Sequence, residues 1–196
     1  MKSLRRSITK AVDASIRTKK EFFEKYHDQI IEVSRLIAEA FDDGKKLLLF
    51  GNGGSATDAS HIAAEFINRF KLERPGLPAI ALNTDMAVIT SIANDYDYSE
   101  VFARQVKSLG QEGDIVIAIS TSGTSRNILK AIDVCRKRGL ITIGLTGKKG
   151  EKMASKCNYP FVVPSADTPR IQECHILLGH IICDMVEEIL FALPGR

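Results

Sequence analysis

The stretch LLLFGNGGSATDASHIAAEF, residues 47–66, decides the fold. It packs an apolar run, a glycine-rich turn and a helical face carrying both His61 and Glu65 into consecutive positions. A short apolar run such as Lys46–Phe50 that breaks at glycine and then takes up helical spacing reads as strand, loop and helix. Working downstream, the same alternation recurs. Apolar runs at Ala79–Leu82, Ile115–Ile119, Thr142–Leu145 and Phe161–Val163 predict four further strands. Helices are predicted near 55–69, 85–93, 98–109, 125–138 and 149–155, and a last one from about 169 to 191, with Gly139 closing the helix before the fourth strand. Strands alternating with helices predict βαβ units and a mostly parallel sheet with helices on both faces. The segment Glu73–Pro78, rich in proline and glycine, reads as a rigid loop entering a strand.

Upstream the pattern differs. Phe22, Tyr26, Ile30, Val33, Ile37 and Phe41 recur at three- and four-residue spacing, so residues from about 4 to 43 read as helix, stopped at Gly44. With no strand before it, this region is expected to pack on the domain or on another subunit. No repeat or interdomain linker interrupts the chain. The expected organisation is one domain over 1–196, with a helical region of about 1–43 and an α/β core of about 44–196.

Composition agrees. The chain has 196 residues, 44% hydrophobic and 26% charged, the balance of a globular protein rather than a disordered one. A net charge of +3 is too small to argue for nucleic acid, and Lys2, Arg5, Arg6 and Lys10 read as a solvated helix face. Cys135, Cys157, Cys174 and Cys183 show no CxxC spacing, which suits reduced thiols. The N-terminal residues lack the apolar core of a signal peptide. The apolar segment Ile176–Leu193 carries His180, Asp184, Glu187 and Glu188, charges too costly for a lipid span. A cytoplasmic protein is expected, with no nucleic-acid or membrane partner.

In a parallel sheet ligands bind beyond the carboxyl ends of the strands. Two loops there have suitable composition: Gly51-Asn52-Gly53-Gly54-Ser55 and Ser120-Thr121-Ser122-Gly123-Thr124-Ser125. The second sets five hydroxyls around one glycine just before a helix, a site for a phosphate dianion. It has no Walker-type lysine, and the first loop lacks GxGxxG spacing, so neither reads as a nucleotide fingerprint. The plainer alternative is an ordinary capped turn. His61 and Glu65, at i and i+4, share a helix face, as a solvent-facing pair or as two ligands of one metal ion. The last helix adds Gln172, His175 and His180, with His180 on the face of Gln172. A phosphate loop, a carboxylate and several histidines suit sugar-phosphate chemistry.

The segments GNGGSA, STSGTS and RIQECHILLGH resemble the sugar isomerase (SIS) fold family, and within it the phosphoheptose isomerases. The resemblance runs from about residue 30 to 190. It implies an α/β three-layer αβα sandwich, flavodoxin-like, with a five-stranded parallel sheet and N-terminal helices at the interface of a homotetramer. It implies conversion of sedoheptulose 7-phosphate to D-glycero-D-manno-heptose 7-phosphate, for heptose and lipopolysaccharide-type glycan biosynthesis, in active sites between subunits. One zinc per subunit would be held by His61, Glu65, Gln172 and His180. Substrate contacts would come from Asn52, Gly53, Gly54, Glu65, Asn94, Asp95 and Gln172, and phosphate contacts from Ser120, Thr121, Ser122 and Ser125. The segments NRFKLERPGLPAIALNTD and IAND also resemble the DnaA initiator-associating protein, a non-catalytic tetramer of the same fold. That group typically lacks the acid and histidine matching Glu65 and His180, which favours the enzyme. Glucosamine-6-phosphate or arabinose-phosphate isomerisation would use a similar loop. Pro169 stands where some isomerases carry an aspartate.

Moving a carbonyl between adjacent carbons requires removal and return of a carbon-bound proton through an enediol(ate). Glu65 is the expected carbon base and His180 the partner at the oxygens. A bound metal would act as Lewis acid.

Overall fold

The computed structural model describes residues 2–192; Met1 and residues 193–196 of the expected domain lie outside the described residues. Five strands form one all-parallel sheet: β1 (Leu47–Gly51), β2 (Ala79–Ala81), β3 (Ile115–Ser120), β4 (Ile141–Gly147) and β5 (Tyr159–Val163), in the order β2-β1-β3-β4-β5. Leu49 pairs with Ala81 on one side and Ile117 on the other, and Ile119 with Leu145. The β1, β3 and β4 side chains are almost all buried, as strands covered on both faces require.

The pleat divides the core in two. Leu47, Leu49, Ile115, Ile117, Ile119, Ile143, Leu145, Phe161 and Val163 face α1 (Lys2–Asp42), α2 (Gly54–Ile67) and α7 (Thr168–Glu187). Leu48, Phe50, Val116 and Ala118 face α3 (Met86–Asp95), α4 (Val101–Leu109), α5 (Arg126–Lys137) and α6 (Glu151–Ala154). Residues i and i+2 share a face, so one strand feeds both layers. The result is the expected three-layer sandwich.

The sheet order reverses direction between β1 and β3. In such sheets the crevice at this switch point takes the ligand. The loops after these two strands are the glycine-rich and hydroxyl-rich segments singled out above.

The N-terminal region is one continuous helix, α1, of 41 residues. Its expected stripe is buried at Phe22, Tyr26, Ile30, Val33 and Ile37. Its first four turns are different: Leu4, Ile8, Val12 and Ile16 are all more than half exposed. The helix expected near 98–109 begins as a 3₁₀ turn at Tyr98–Glu100, where Asp97 accepts from the Ser99 N–H. The last helix ends in a π-helical turn, Glu188–Ala192. Among the described residues no helix is long and apolar enough to cross a membrane. The four cysteines are free, and burial pushes their thiols up, to about 12 for Cys135 and about 11 for Cys157 and Cys174.

Candidate active site

Helix α2 starts at the glycine loop and lies beside α7 on the same face of the sheet. Gly53 sits at the N-cap with φ of +55°, in the left-handed region that glycine enters without steric cost. A Cβ on Gly54 would collide with the Gln172 amide, so α7 approaches the loop closely there. Two turns along α2, three side chains converge. His61 Nε2 lies 3.1 Å from Glu65 Oε1 and 3.4 Å from His180 Nε2. The ligand atoms of His61, Glu65 and His180 all lie within 4.8 Å of one another. Two imidazole nitrogens and a carboxylate oxygen this close together could hold one metal ion between them. The donor set and spacing fit a borderline ion such as zinc. Phe70 stacks on His180, with centroids 5.7 Å apart and an interplanar angle of 27°.

One helical turn before His61, Asp58 is half-buried. Burial pushes its carboxyl above the ordinary range, and His61 partly offsets this. Its Oδ2 has no partner among the described residues. His175, expected as one of several polar groups in α7, is instead fully buried and turned to the sheet, 3.4 Å from the Thr146 carbonyl. Burial lowers its imidazole from 6.5 to about 4, against the opposing effect of that hydrogen bond.

In the first loop Asn52 exchanges hydrogen bonds with Asn127 at 2.9–3.0 Å and accepts from the Tyr98 hydroxyl at 3.2 Å. In the second, the Ser120 hydroxyl accepts from the Gly123 N–H at 3.2 Å and lies 3.3 Å from the Ser125 hydroxyl. Ser125 is the N-cap of α5 but makes no side-chain capping bond, so its hydroxyl is turned inward to the loop. The Gly147 N–H pins the Thr121 carbonyl at 3.1 Å. A cavity of about 250 Å³ adjoins this loop, lined by Thr121, Ser122, Thr124, Lys149, Ser165 and Thr168, among others. Hydroxyls, one ammonium and a nearby helix start suit an anionic group. Asn94 and Asp95 are exposed at the end of α3 and bond to each other at 2.9 Å. Among the described residues they make no hydrogen bond to the other candidates. A larger hollow, about 500 Å³, lies along α1 between Asp28, Arg35 and Tyr159 and contains none of the candidate residues.

Sequence reasoning missed Lys149, Ser165 and Thr168, which reach the second loop from two later connections without a local motif. It also missed Tyr98 and Asn127, whose role is visible only through Asn52. Asp58 was legible in principle, since i and i+3 face the same way on a helix.

A doubly wound sandwich with a hydroxyl loop at its switch point defines the class of SIS domains, and the profile described as SIS domain matches residues 12–147. The chain is 67% identical over 188 residues to the phosphoheptose isomerase of Thermodesulfovibrio yellowstonii, covering 96% of this chain and 94% of that protein. It is 54% identical over 162 residues to that of Aneurinibacillus thermoaerophilus, covering 83% and 82%. A solved phosphoheptose isomerase from Francisella tularensis superposes with a TM-score of 0.91 at 37% identity, covering 96% and 100%. The chain therefore belongs to the phosphoheptose isomerases of the SIS family. These relatives carry isomerase names, which favours the enzyme over the initiator-binding module.

Proposed function

We propose that the protein interconverts sedoheptulose 7-phosphate and D-glycero-D-manno-heptose 7-phosphate through an enediol(ate). The observation that carries this reading is the convergence of His61, Glu65 and His180 within 4.8 Å, beside the glycine loop. A ketose-to-aldose conversion needs a base near the carbon-bound proton at C1, and Glu65 is the one carboxylate in the cluster. Its conjugate acid returns the proton to C2. His180 moves the proton between the two oxygens, where an imidazole can both donate and accept. Stacking on Phe70 holds its ring plane for that exchange.

Zinc, one per subunit, would be held by His61, Glu65, Gln172 and His180. When bound it supplies positive charge to the developing oxyanion. Ligation would lower the basicity of the Glu65 carboxylate, so Glu65 would be the stronger base with that carboxylate free of the metal. Ser120, Thr121, Ser122 and Ser125 hold the remote phosphate, and that binding energy positions the reacting end. Asn52, Gly53, Gly54, Asn94, Asp95 and Gln172 contact the sugar. The active sites are read as lying between subunits of a homotetramer. We further read residues 1–196 as a single domain, located in the cytoplasm and supplying heptose to lipopolysaccharide-type glycans.

The direct test incubates the purified protein with sedoheptulose 7-phosphate and looks for an aldoheptose phosphate by NMR. Turnover is expected. A protein that binds the initiator DnaA but never converts the sugar would overturn the reading.

A further inference from the structure

The loop between α2 and β2 is tied down by a buried ion pair that the chemistry above does not use. Arg74 Nε donates to Glu187 Oε1 at 2.8 Å, and both side chains are almost wholly buried. The same Glu187 oxygen accepts the Phe70 N–H at 2.7 Å, while Oε2 accepts the N–H groups of Lys71 at 2.8 Å and Leu72 at 3.0 Å. Four donors use the acceptor sites a carboxylate has. Burial alone would push this carboxyl up; the three backbone donors and Arg74 more than reverse it and hold it below its ordinary range.

Arg74 faces the other way as well. Nη2 donates to the Glu65 carbonyl at 2.9 Å, and Nη1 to the carbonyls of Phe66 at 2.9 Å and Pro75 at 3.0 Å. The Glu65 and Phe66 carbonyls belong to the last turn of α2, where no intrahelical donor is available. A guanidinium there satisfies them and complements the negative end of the helix dipole. Asp184, one turn beyond His180 on α7, adds a 2.6 Å pair with Lys71 Nζ.

A purely structural reading makes this an anchor for an irregular loop whose buried N–H groups need partners. Yet buried ion pairs are poor devices for stability alone, because desolvation offsets their attraction. What distinguishes this pair is where its two ends arrive. One end holds the backbone of Glu65. The other holds the segment whose Phe70 ring stacks on His180.

We propose that Arg74 and Glu187 form a positioning clamp that sets Glu65 and His180 relative to one another, so that turnover depends on the clamp and substrate affinity does not. This rests on the reading of Glu65 and His180 as the proton-moving pair. Arg74→Lys keeps the charge but cannot span Glu187 and the carbonyls of α2 together. Phe70→Leu removes the stacking ring and leaves the ion pair. Phe102→Leu, in the core on the opposite face of the sheet, serves as a control for general destabilisation.

Kinetics with sedoheptulose 7-phosphate, thermal midpoints and ¹H–¹³C spectra of histidine-labelled protein are measured for each. The labelled protein has only four histidines to resolve. A misplaced catalytic group costs up to about 10²-fold, so Arg74→Lys is expected to lower kcat by about 10- to 100-fold. Its KM should stay within about twofold, because an interaction made only in the transition state has been lost. Phe102→Leu should leave kcat near wild type. The ring resonances of His180 should lose the Phe70 ring-current shift in Arg74→Lys and Phe70→Leu, while those of His175 stay in place. Folded Arg74→Lys with wild-type kcat and unmoved His180 resonances would overturn the clamp, as would equal losses of kcat in Arg74→Lys and Phe102→Leu. If Arg74→Lys does not fold, Phe70→Leu decides: wild-type kcat in that variant sinks the proposal. If wild-type protein does not convert the sugar, the isomerase reading has failed, and the spectra still test the clamp by themselves.

Discussion

Glu65 carries the sharpest expectation at the scale of single residues. Glu65→Gln preserves side-chain shape and removes the carboxylate, so no cavity forms. General acid–base catalysis contributes ~10²–10⁴ in rate, and kcat should fall by that factor. Metal content is measured in the same sample, because a fall with metal retained isolates proton transfer from ligation. His180→Gln should be similarly impaired, and the double variant little worse than either, as expected of groups that act as a unit. His175, in the same helix, makes a different prediction. Its folded-state value of about 4 lies below the ordinary 6.5, so the unfolded chain takes up the proton first as pH falls. Its contribution to stability is complete above about 6.5 and is lost on acidification towards 4. Between pH 7 and pH 5 the loss is roughly 2 kcal/mol. His175→Gln keeps an N–H donor for Thr146 and abolishes the titration. Denaturant unfolding at both pH values should show the wild type losing that much more stability than the variant. Equal losses would mean that His175 does not carry the acid sensitivity.

The hydroxyl loop between β3 and α5 is a property of an element rather than of any one side chain. Replacing Ser120, Thr121 and Ser122 together with alanine should raise KM strongly, since each hydrogen bond to a charged group contributes about 1.5–3 kcal/mol. Isothermal titration with the sugar phosphate checks this, and unchanged affinity would remove the phosphate assignment. At this scale the sequence was most readable. Five apolar runs separated by helical stretches predicted all five strands, and in β1 and β3 the run is nearly unbroken because both faces are buried. Errors fell where polarity and burial part company. β4 runs on to Gly147 because Thr146, polar by composition, is wholly buried, and β5 begins at the half-buried Tyr159. α3 extends through Asn94 and Asp95, residue types that usually favour turns. The site divides the same way. His61 and Glu65 were legible because a helix repeats locally, and His180 through its resemblance to a known pattern. Arg74 and Glu187 are separated by 113 positions, and only tertiary structure brings them together. In the sequence the first was part of a rigid loop and the second one of several charges arguing against a membrane span.

At the scale of the whole molecule, the first four turns of α1 present an exposed apolar stripe. The helix is 41 residues long, about 60 Å at 1.5 Å per residue, and only its later part lies on the sheet. Leu4, Ile8, Val12 and Ile16 follow one another at i+4, so they form one apolar stripe, exposed by 69%, 66%, 51% and 62%. Arg170 holds this part of the helix by donating to the Ala11 carbonyl at 2.7 Å, which orders the stripe without covering it. A row of large apolar side chains on an ordered helix is suited to another helix face. The proposed homotetramer supplies one, since a second copy presents the same stripe, and isologous contact of like with like closes by two-fold symmetry. Burying each such side chain is worth about 1.5–3 kcal/mol, so two charges placed there should be decisive. Ile8→Glu combined with Val12→Glu touches no core residue and should leave each protomer folded by circular dichroism. Sedimentation equilibrium should then show the assembly dissociating, with a Kd raised at least about 100-fold, or 2.7 kcal/mol. If the active sites lie between subunits, as proposed, the dissociated protein should also lose turnover, and raising its concentration should restore both together. A variant that remains tetrameric, or a dissociated one that keeps full activity, would separate the stripe from the assembly or the assembly from the site.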